Sequence, residues 1–212
     1  GIKSYRPFKK SKLRPCLFEY IYFARPDSIL EGKNVYEIRK KIGVELAKES
    51  KKDKSLIDIV VPIPDSGNAA ALGYSKIIKK PFELGIIRNH YTGRTFIEPT
   101  NKVRHLGVKL KHNPNPSILK NKKIALIDDS IVRGTTSIKI VEMLRNIGVR
   151  EIHMRIASPP VKYPCFYGID TPSKKELLAS KYSVEEICKY IGVDSLEFIS
   201  LDGVYRALGY KL

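Results

Sequence analysis

The sequence predicts an α/β domain, a mostly parallel β-sheet covered by helices on both faces. Three observations point there. Short apolar, β-branched runs alternate with longer segments whose apolar residues recur at helical spacing. Two of those runs end in loops of small, hydroxylated and acidic residues that lead directly into helices. A length of 212 residues suits one domain with a sizeable core. In such a sheet, ligands gather at the carboxyl ends of the strands.

Taken in order, residues 1–14 read as a basic, linker-like arm, and the folded domain is expected over 15–212. Phe18 to Phe23 is apolar and aromatic and predicts a strand, and Val35 to Glu49 predicts a helix. Ile57 to Ile63 is a second strand, closed by the turn residues Pro64-Asp65-Ser66-Gly67 and followed by an alanine-rich helix over Asn68 to Lys79. After a short strand at Leu84 to Ile87 comes a stretch over 88–116 with little apolar periodicity. It carries Arg88, Arg94, Lys102, Arg104, Lys109 and Lys111 and is read as a mobile lid. Lys123 to Ile127 is the next strand, and Thr135 to Ile147 repeats Ile140, Val141, Leu144 and Ile147 at helical spacing. Glu151 to Ala157 is a strand. The tail beyond Pro159 is less regular, with a helix at Ser183 to Ile191 and a strand at Leu196 to Leu201.

The most informative stretch joins two of these elements: Ile124-Ala-Leu-Ile-Asp-Asp-Ser-Ile-Val-Arg-Gly-Thr-Thr-Ser137. The first N–H groups of a helix have no partner within the helix, and its dipole favours negative charge, so a phosphate suits Arg133, Gly134, Thr135 and Thr136. Asp128, Asp129 and Ser130 stand just ahead of that seat. There the carboxylates suit ribose hydroxyls, held directly or through a hard cation such as magnesium. The competing reading is that the aspartates only cap the next helix, with Ser130 and Thr135 satisfying stray N–H groups. Upstream, Asp65, Ser66 and Gly67 form a second anion seat. Its one carboxylate, one hydroxyl and free N–H groups suit a pyrophosphate with a metal. It has neither the Lys-Ser/Thr ending of a P-loop nor the G-x-G-x-x-G spacing of a dinucleotide fold.

Val61-Pro-Ile-Pro-Asp-Ser-Gly67, Gly93-Arg-Thr-Phe-Ile97 and the acidic loop resemble the phosphoribosyltransferase domain of glutamine phosphoribosylpyrophosphate amidotransferase. Cys16 to Ser28 and Pro164 to Thr171 are similar to that family too, so the resemblance runs from about Pro15 to Gly209. Generic phosphoribosyltransferases would share the acidic loop but not these flanking phrases. The resemblance implies a type I phosphoribosyltransferase fold with a lid over about 88–116 and a small hood over about 159–200. It implies magnesium-dependent transfer of phosphoribosyl from phosphoribosyl pyrophosphate (PRPP) to ammonia. Ser66, Asp128 and Asp129 would hold the metal, the loop from Arg133 to Ser137 the 5-phosphate, and Ser66 with Gly67 the pyrophosphate. Tyr91, Arg94 and Thr95 would close over the reacting atoms. Water must be kept from the developing oxocarbenium ion, which is the physical reason for a lid.

Two departures shape the expectation. The family usually reads Lys-Asn-Arg-Tyr where this chain has Arg88-Asn89-His90-Tyr91. Family members also carry an amino-terminal glutaminase domain, absent from this stretch, so ammonia would come free, from a glutaminase subunit or from a missing half of the polypeptide. Cys16 and Cys165 match iron-sulfur ligand positions of the family, but the remaining Cys-x-x-Cys is missing. Three cysteines are too few for a four-thiolate cluster, and core thiols are expected at Cys16, Cys165 and Cys188. Because ammonia is itself the nucleophile, His90, His105, His112 and His153 need no catalytic role.

By resemblance, purine nucleotides are expected as feedback inhibitors, and a dimer or tetramer as the assembly. No bilayer-length apolar stretch, signal peptide or disulfide pattern is present, and a cytoplasmic location is expected. A formal charge of +17 suits a polyanionic sugar phosphate or a nucleic acid, but no RNA-binding, zinc or zipper signature supports the second. The rival readings are a PRPP or purine sensor on the same fold, and a salvage enzyme that joins PRPP to a free base.

Overall fold

The computed structural model describes the chain except for residues 2, 6, 10–14, 52–53, 90–111, 167–172 and 211–212. A central sheet of four parallel strands orders as β3 (Ile59–Pro62), β6 (Lys123–Asp128), β7 (Glu151–Ile156) and β8 (Ser195–Phe198). The remaining strands make two small antiparallel hairpins. These are β1 (Ile29–Leu30) with β2 (Lys33–Asn34), and β4 (Ile86–Arg88) with β5 (His112–Pro114).

Side-chain alternation splits the core into two layers. On one face Val60, Ala125 and Ile127 meet α1 (Val35–Glu49), α2 (Asn68–Ile78) and the late helix that carries Val204, Ala207 and Leu208. On the other face Ile59, Val61, Ile124, Leu126, Ile152 and Met154 lie under α4 (Thr135–Asn146) and α5 (Val184–Ile191). A single turn, α3 (Pro116–Leu119), places Leu119 in that second layer, and α6 (Leu201–Leu208) closes the first. Among the described residues no helix is long and apolar enough to cross a membrane.

Helices α1 and α2 cross at contact distance. A Cβ added at Gly43 would lie 1.9 Å from the Ala70 carbonyl oxygen, and one at Gly73 would lie 1.9 Å from the Lys40 carbonyl oxygen. The two glycines therefore let the backbones touch and draw α1 tightly over the sheet. Beneath them runs a polar chain. Fully buried Arg155 pairs with Glu197 at 3.1 Å and donates to Ser50, Ser195 and the Met154 carbonyl. His153 shares hydrogen bonds with Ser195 and Glu151, whose carboxylate also pairs with Lys123.

The structure corrects several expectations. Glu19–Phe23 forms a π-helical turn, not a strand, because Arg39 takes the carbonyls of Tyr20 and Ala24 and winds the segment in place. The edge of the expected lid is regular: Arg88 pairs with His112 across β4 and β5, and α3 follows at once. Leu201 opens a helix instead of ending a strand, since Ser200 caps it by accepting from the Gly203 N–H. Cys16 is exposed ahead of the π-turn instead of in the core, while Cys165 and Cys188 are half-buried. Gly73→Ala tests the helix crossing. Overpacking against backbone should cost about 1–3 kcal/mol, more than the roughly 1 kcal/mol gained from better helix propensity, so urea unfolding should shift to a lower midpoint.

Candidate active site

Strands β3, β6 and β7 end side by side, and the loops that leave the first two form one depression. The Ile63 N–H donates to the Ile127 carbonyl at 2.8 Å, and the Ala157 N–H to the Asp128 carbonyl at 2.9 Å, which locks the three ends in register. The upstream loop then lies directly on β6. A Cβ at Gly67 would sit 2.4 Å from the Ile127 carbonyl oxygen and 2.9 Å from that of Ile63, so only glycine fits. The Pro64–Asp65 peptide is cis.

Asp128 and Asp129 both sit in this floor at under one-tenth exposure. The Asp129 N–H donates to Asp128 Oδ1 at 2.9 Å, and the Ser130 hydroxyl to Asp129 Oδ2 at 3.3 Å. Ser66, on the neighbouring loop, favours the charged form of the Asp128 carboxyl, and Asp129 opposes it. Burial first, and then the charge of Asp129, push the Asp128 carboxyl well above the usual carboxylate range. Two crowded carboxyls and a hydroxyl form an all-oxygen donor set whose negative charge is underpaired, which suits a hard divalent cation. No cluster of three or more His, Cys, Asp or Glu residues gathers among the described residues. A metal on this pair would thus take most of its ligands from water and substrate, as magnesium does at phosphate sites.

Helix α4 begins behind the acidic pair. Its N-cap is Gly134, at φ 75°, with no side-chain cap. The hydroxyls of Ser130 and Thr135 therefore do not cap this helix, and the capping reading of the loop loses its main support. Thr135 and Thr136 are exposed at the first turn, while Ser137 is buried. Helix α2 likewise starts at Gly67 without a side-chain cap. Both helix starts thus leave their first N–H groups without a side-chain cap at the residue before the helix.

Two arginines at the rim are held by acids. Arg133 donates to Glu176 at 2.9 Å, and Arg88, the last residue of β4, pairs with Asp65 of the upstream loop. Expected site residues Asp65, Ser66, Gly67, Asp128, Asp129, Ser130, Arg133, Gly134, Thr135 and Thr136 thus collect at the strand ends. Tyr91, Arg94 and Thr95 lie outside the described residues. Sequence reasoning missed Arg39, which is buried on α1 and lines a small recess with Ser66 and Asp129. Its signal was an arginine among the apolar positions Val35, Ile38, Ile42 and Leu46. Glu176, the partner of Arg133, had no signal of its own.

Residues 27–158 match the family described as Phosphoribosyl transferase domain. The amidophosphoribosyltransferase of Rhizobium etli is 57% identical over 210 residues, 99% of this chain and 42% of that relative. The amidophosphoribosyltransferase of Methanocaldococcus jannaschii is 53% identical over 196 residues, 92% of this chain and 41% of that relative. Among solved structures, the glutamine PRPP amidotransferase from B. subtilis, complexed with ADP and GMP, superposes with a TM-score of 0.82 at 48% identity. It is matched over 93% of this chain and 43% of that one. The chain therefore spans less than half the length of these relatives.

The raised Asp128 carboxyl carries a pH prediction. Its contribution to stability is complete below the unfolded value of 3.8 and is lost as pH rises through the higher folded value. Asp128→Asn removes this ionisation and keeps the acceptor for the Asp129 N–H. In chelator, urea unfolding should show the variant gaining on the wild type as pH rises from about 4 towards 8. A gap that does not change with pH would contradict the assignment.

Proposed function

Because the chain belongs to the phosphoribosyltransferase family, we propose that it transfers the phosphoribosyl group of PRPP to ammonia, releasing pyrophosphate and forming 5-phosphoribosylamine. The observation that carries this reading is two helix starts without a side-chain cap, at Gly67 and Gly134, that follow the ends of the adjacent strands β3 and β6, with the buried Asp128–Asp129 pair at the second of those ends. One start suits a terminal phosphate, the other a pyrophosphate, and the carboxylates between them suit a diol. The identity to amidophosphoribosyltransferases from bacteria and archaea supports ammonia as the acceptor over a free base.

In this reading Arg133, Gly134, Thr135, Thr136 and Ser137 hold the 5-phosphate at the amino end of α4, and Asp128 and Asp129 orient the ribose hydroxyls. Asp65, Ser66 and Gly67 receive the pyrophosphate. Ser66, Asp128 and Asp129 would hold Mg²⁺, which would neutralise charge on the departing pyrophosphate. The bond from the anomeric carbon to pyrophosphate oxygen breaks with its electron pair, and the ammonia lone pair forms the new carbon–nitrogen bond. The surplus proton on nitrogen then passes to solvent or product. Such a step builds positive charge on the sugar, so the buried carboxylates favour it electrostatically, and exclusion of water protects it. Tyr91, Arg94 and Thr95 are assigned to that exclusion by resemblance alone.

Purine nucleotides carry the same ribose phosphate and would compete for the α4 seat; the relative solved with ADP and GMP supports this extension. A glutaminase domain or subunit supplying the ammonia, a homo-oligomer, and a cytoplasmic location belong to the same proposal. The test is pyrophosphate release from PRPP and Mg²⁺ with ammonium, glutamine or free purine bases as acceptor. Release with ammonium is expected. Release with a base instead would make this a salvage enzyme, and none with any acceptor would favour a sensor or a subunit awaiting its missing half. Asp129→Ala should lower kcat by about 10²–10³-fold, the scale of losing one preorganised electrostatic partner, while the protein stays folded. Unchanged turnover would sink the site assignment.

A further inference from the structure

Arg39 lies outside both phosphate loops, yet it is built into the site. The residue is 7% exposed, and its Nε and Nη2 donate at 2.8 Å to the carbonyls of Tyr20 and Ala24, near the two ends of the π-turn. The side chain then faces a recess of about 10 Å³ lined by Ile21, Ile42, Ser66, Ala70, Asp129 and Ala157. Arg39 and Asp129 face that space together and do not close into a direct ion pair. The recess has room for about one water molecule, and the arginine, the serine hydroxyl and the carboxylate supply the partners such a water needs.

We propose that Arg39 is a positioning residue for the proposed transfer, orienting Asp129 across this recess and fastening residues 16–24 against the acidic pair. The inference rests on the reading of Asp128 and Asp129 as the diol and metal site. The geometry gives the arginine two tasks that one substitution can separate. Its hydrogen bonds hold the π-turn, which is a structural task. Its charge acts on Asp129 across the shared recess, so it restrains the carboxylate and opposes a cation bound to it.

The experiment is Mn²⁺ titration of the purified protein with PRPP present and ammonia withheld, followed by electron paramagnetic resonance, on the wild type, Arg39→Gln and Arg39→Lys, with thermal melting to establish folding. Gln keeps a donor for the carbonyls and removes the charge. It should bind Mn²⁺ about threefold or more tightly, as expected when a nearby like charge is removed. Its kcat in ammonia-dependent pyrophosphate release should fall about tenfold from lost orientation. Lys retains the charge, and its Mn²⁺ affinity should return to within about twofold of the wild type. A purely structural role would move both variants alike. Should Arg39→Gln not fold, Arg39→Met, of similar volume and no charge, carries the same comparison with Lys. Unchanged or weaker Mn²⁺ binding in the folded neutral variant, beside normal wild-type binding, would overturn the role of Arg39 alone. No Mn²⁺ binding by the wild type would overturn the reading of the site and Arg39's role with it.

Discussion

Two consecutive carboxylates at the buried end of a central strand are the constraint around which the rest of the site is arranged. Burial of an uncompensated carboxylate is costly, and a second one beside it adds repulsion. The fold meets this with local donors: the Asp129 main chain and the Ser66 hydroxyl turn towards Asp128, and the Ser130 hydroxyl towards Asp129. These offset part of the cost and leave the pair underneutralised. A structure selected for stability alone would place Asn or Leu there. Retaining two acids in the floor of an opening, between uncapped helix starts, is the pattern of a site that spends stability on binding.

Tight backbone packing makes that floor possible. Gly67 lets the upstream loop lie on β6, which brings the Ser66 hydroxyl to Asp128. Gly43 and Gly73 let α1 press against α2, and α1 carries Arg39 into the recess that Ser66 and Asp129 also line. The chain of dependence runs from small residues, through helix and loop spacing, to the placement of two polar groups in the site. A single methyl added at any of these glycines would be felt in the site, because main-chain carbonyls cannot swing away as side-chain ends can.

Much of this was legible from the sequence, where local pattern and tertiary environment agree. Helix α1 runs from Val35 to Glu49 as its apolar spacing required, and β6 and β7 match their apolar runs to within one residue. The acidic loop was legible because its residue types have few other uses together. The failures share a cause, which is that a distant partner decides the local conformation. Tyr20 to Phe23 has strand-like composition, but Arg39, a helix away, takes its carbonyls. His112 to Pro114 looked structureless because its order comes from pairing with β4. Helix α6 was hidden because Leu196 to Leu201 reads as one apolar run until Ser200 is seen to cap a new element.

The arginines separate by burial into two kinds, and the distinction bears on how an anionic substrate would enter. Arg39 and Arg155 are buried and bonded to carbonyls and side chains, so moving either would strand a charge in the interior. Arg88 and Arg133 are partly exposed, each tied to one carboxylate at the rim of the site. Exposed pairs of this kind are worth about 1 kcal/mol or less, because water screens them and two long side chains must be held still. A phosphate offers more charge and more acceptors than Asp65 or Glu176, so it can replace either acid at little cost. Under the proposed function, the rim arginines would rest against their acidic partners before binding and turn to substrate without any change in the sheet. The buried ones keep the floor fixed while they do so.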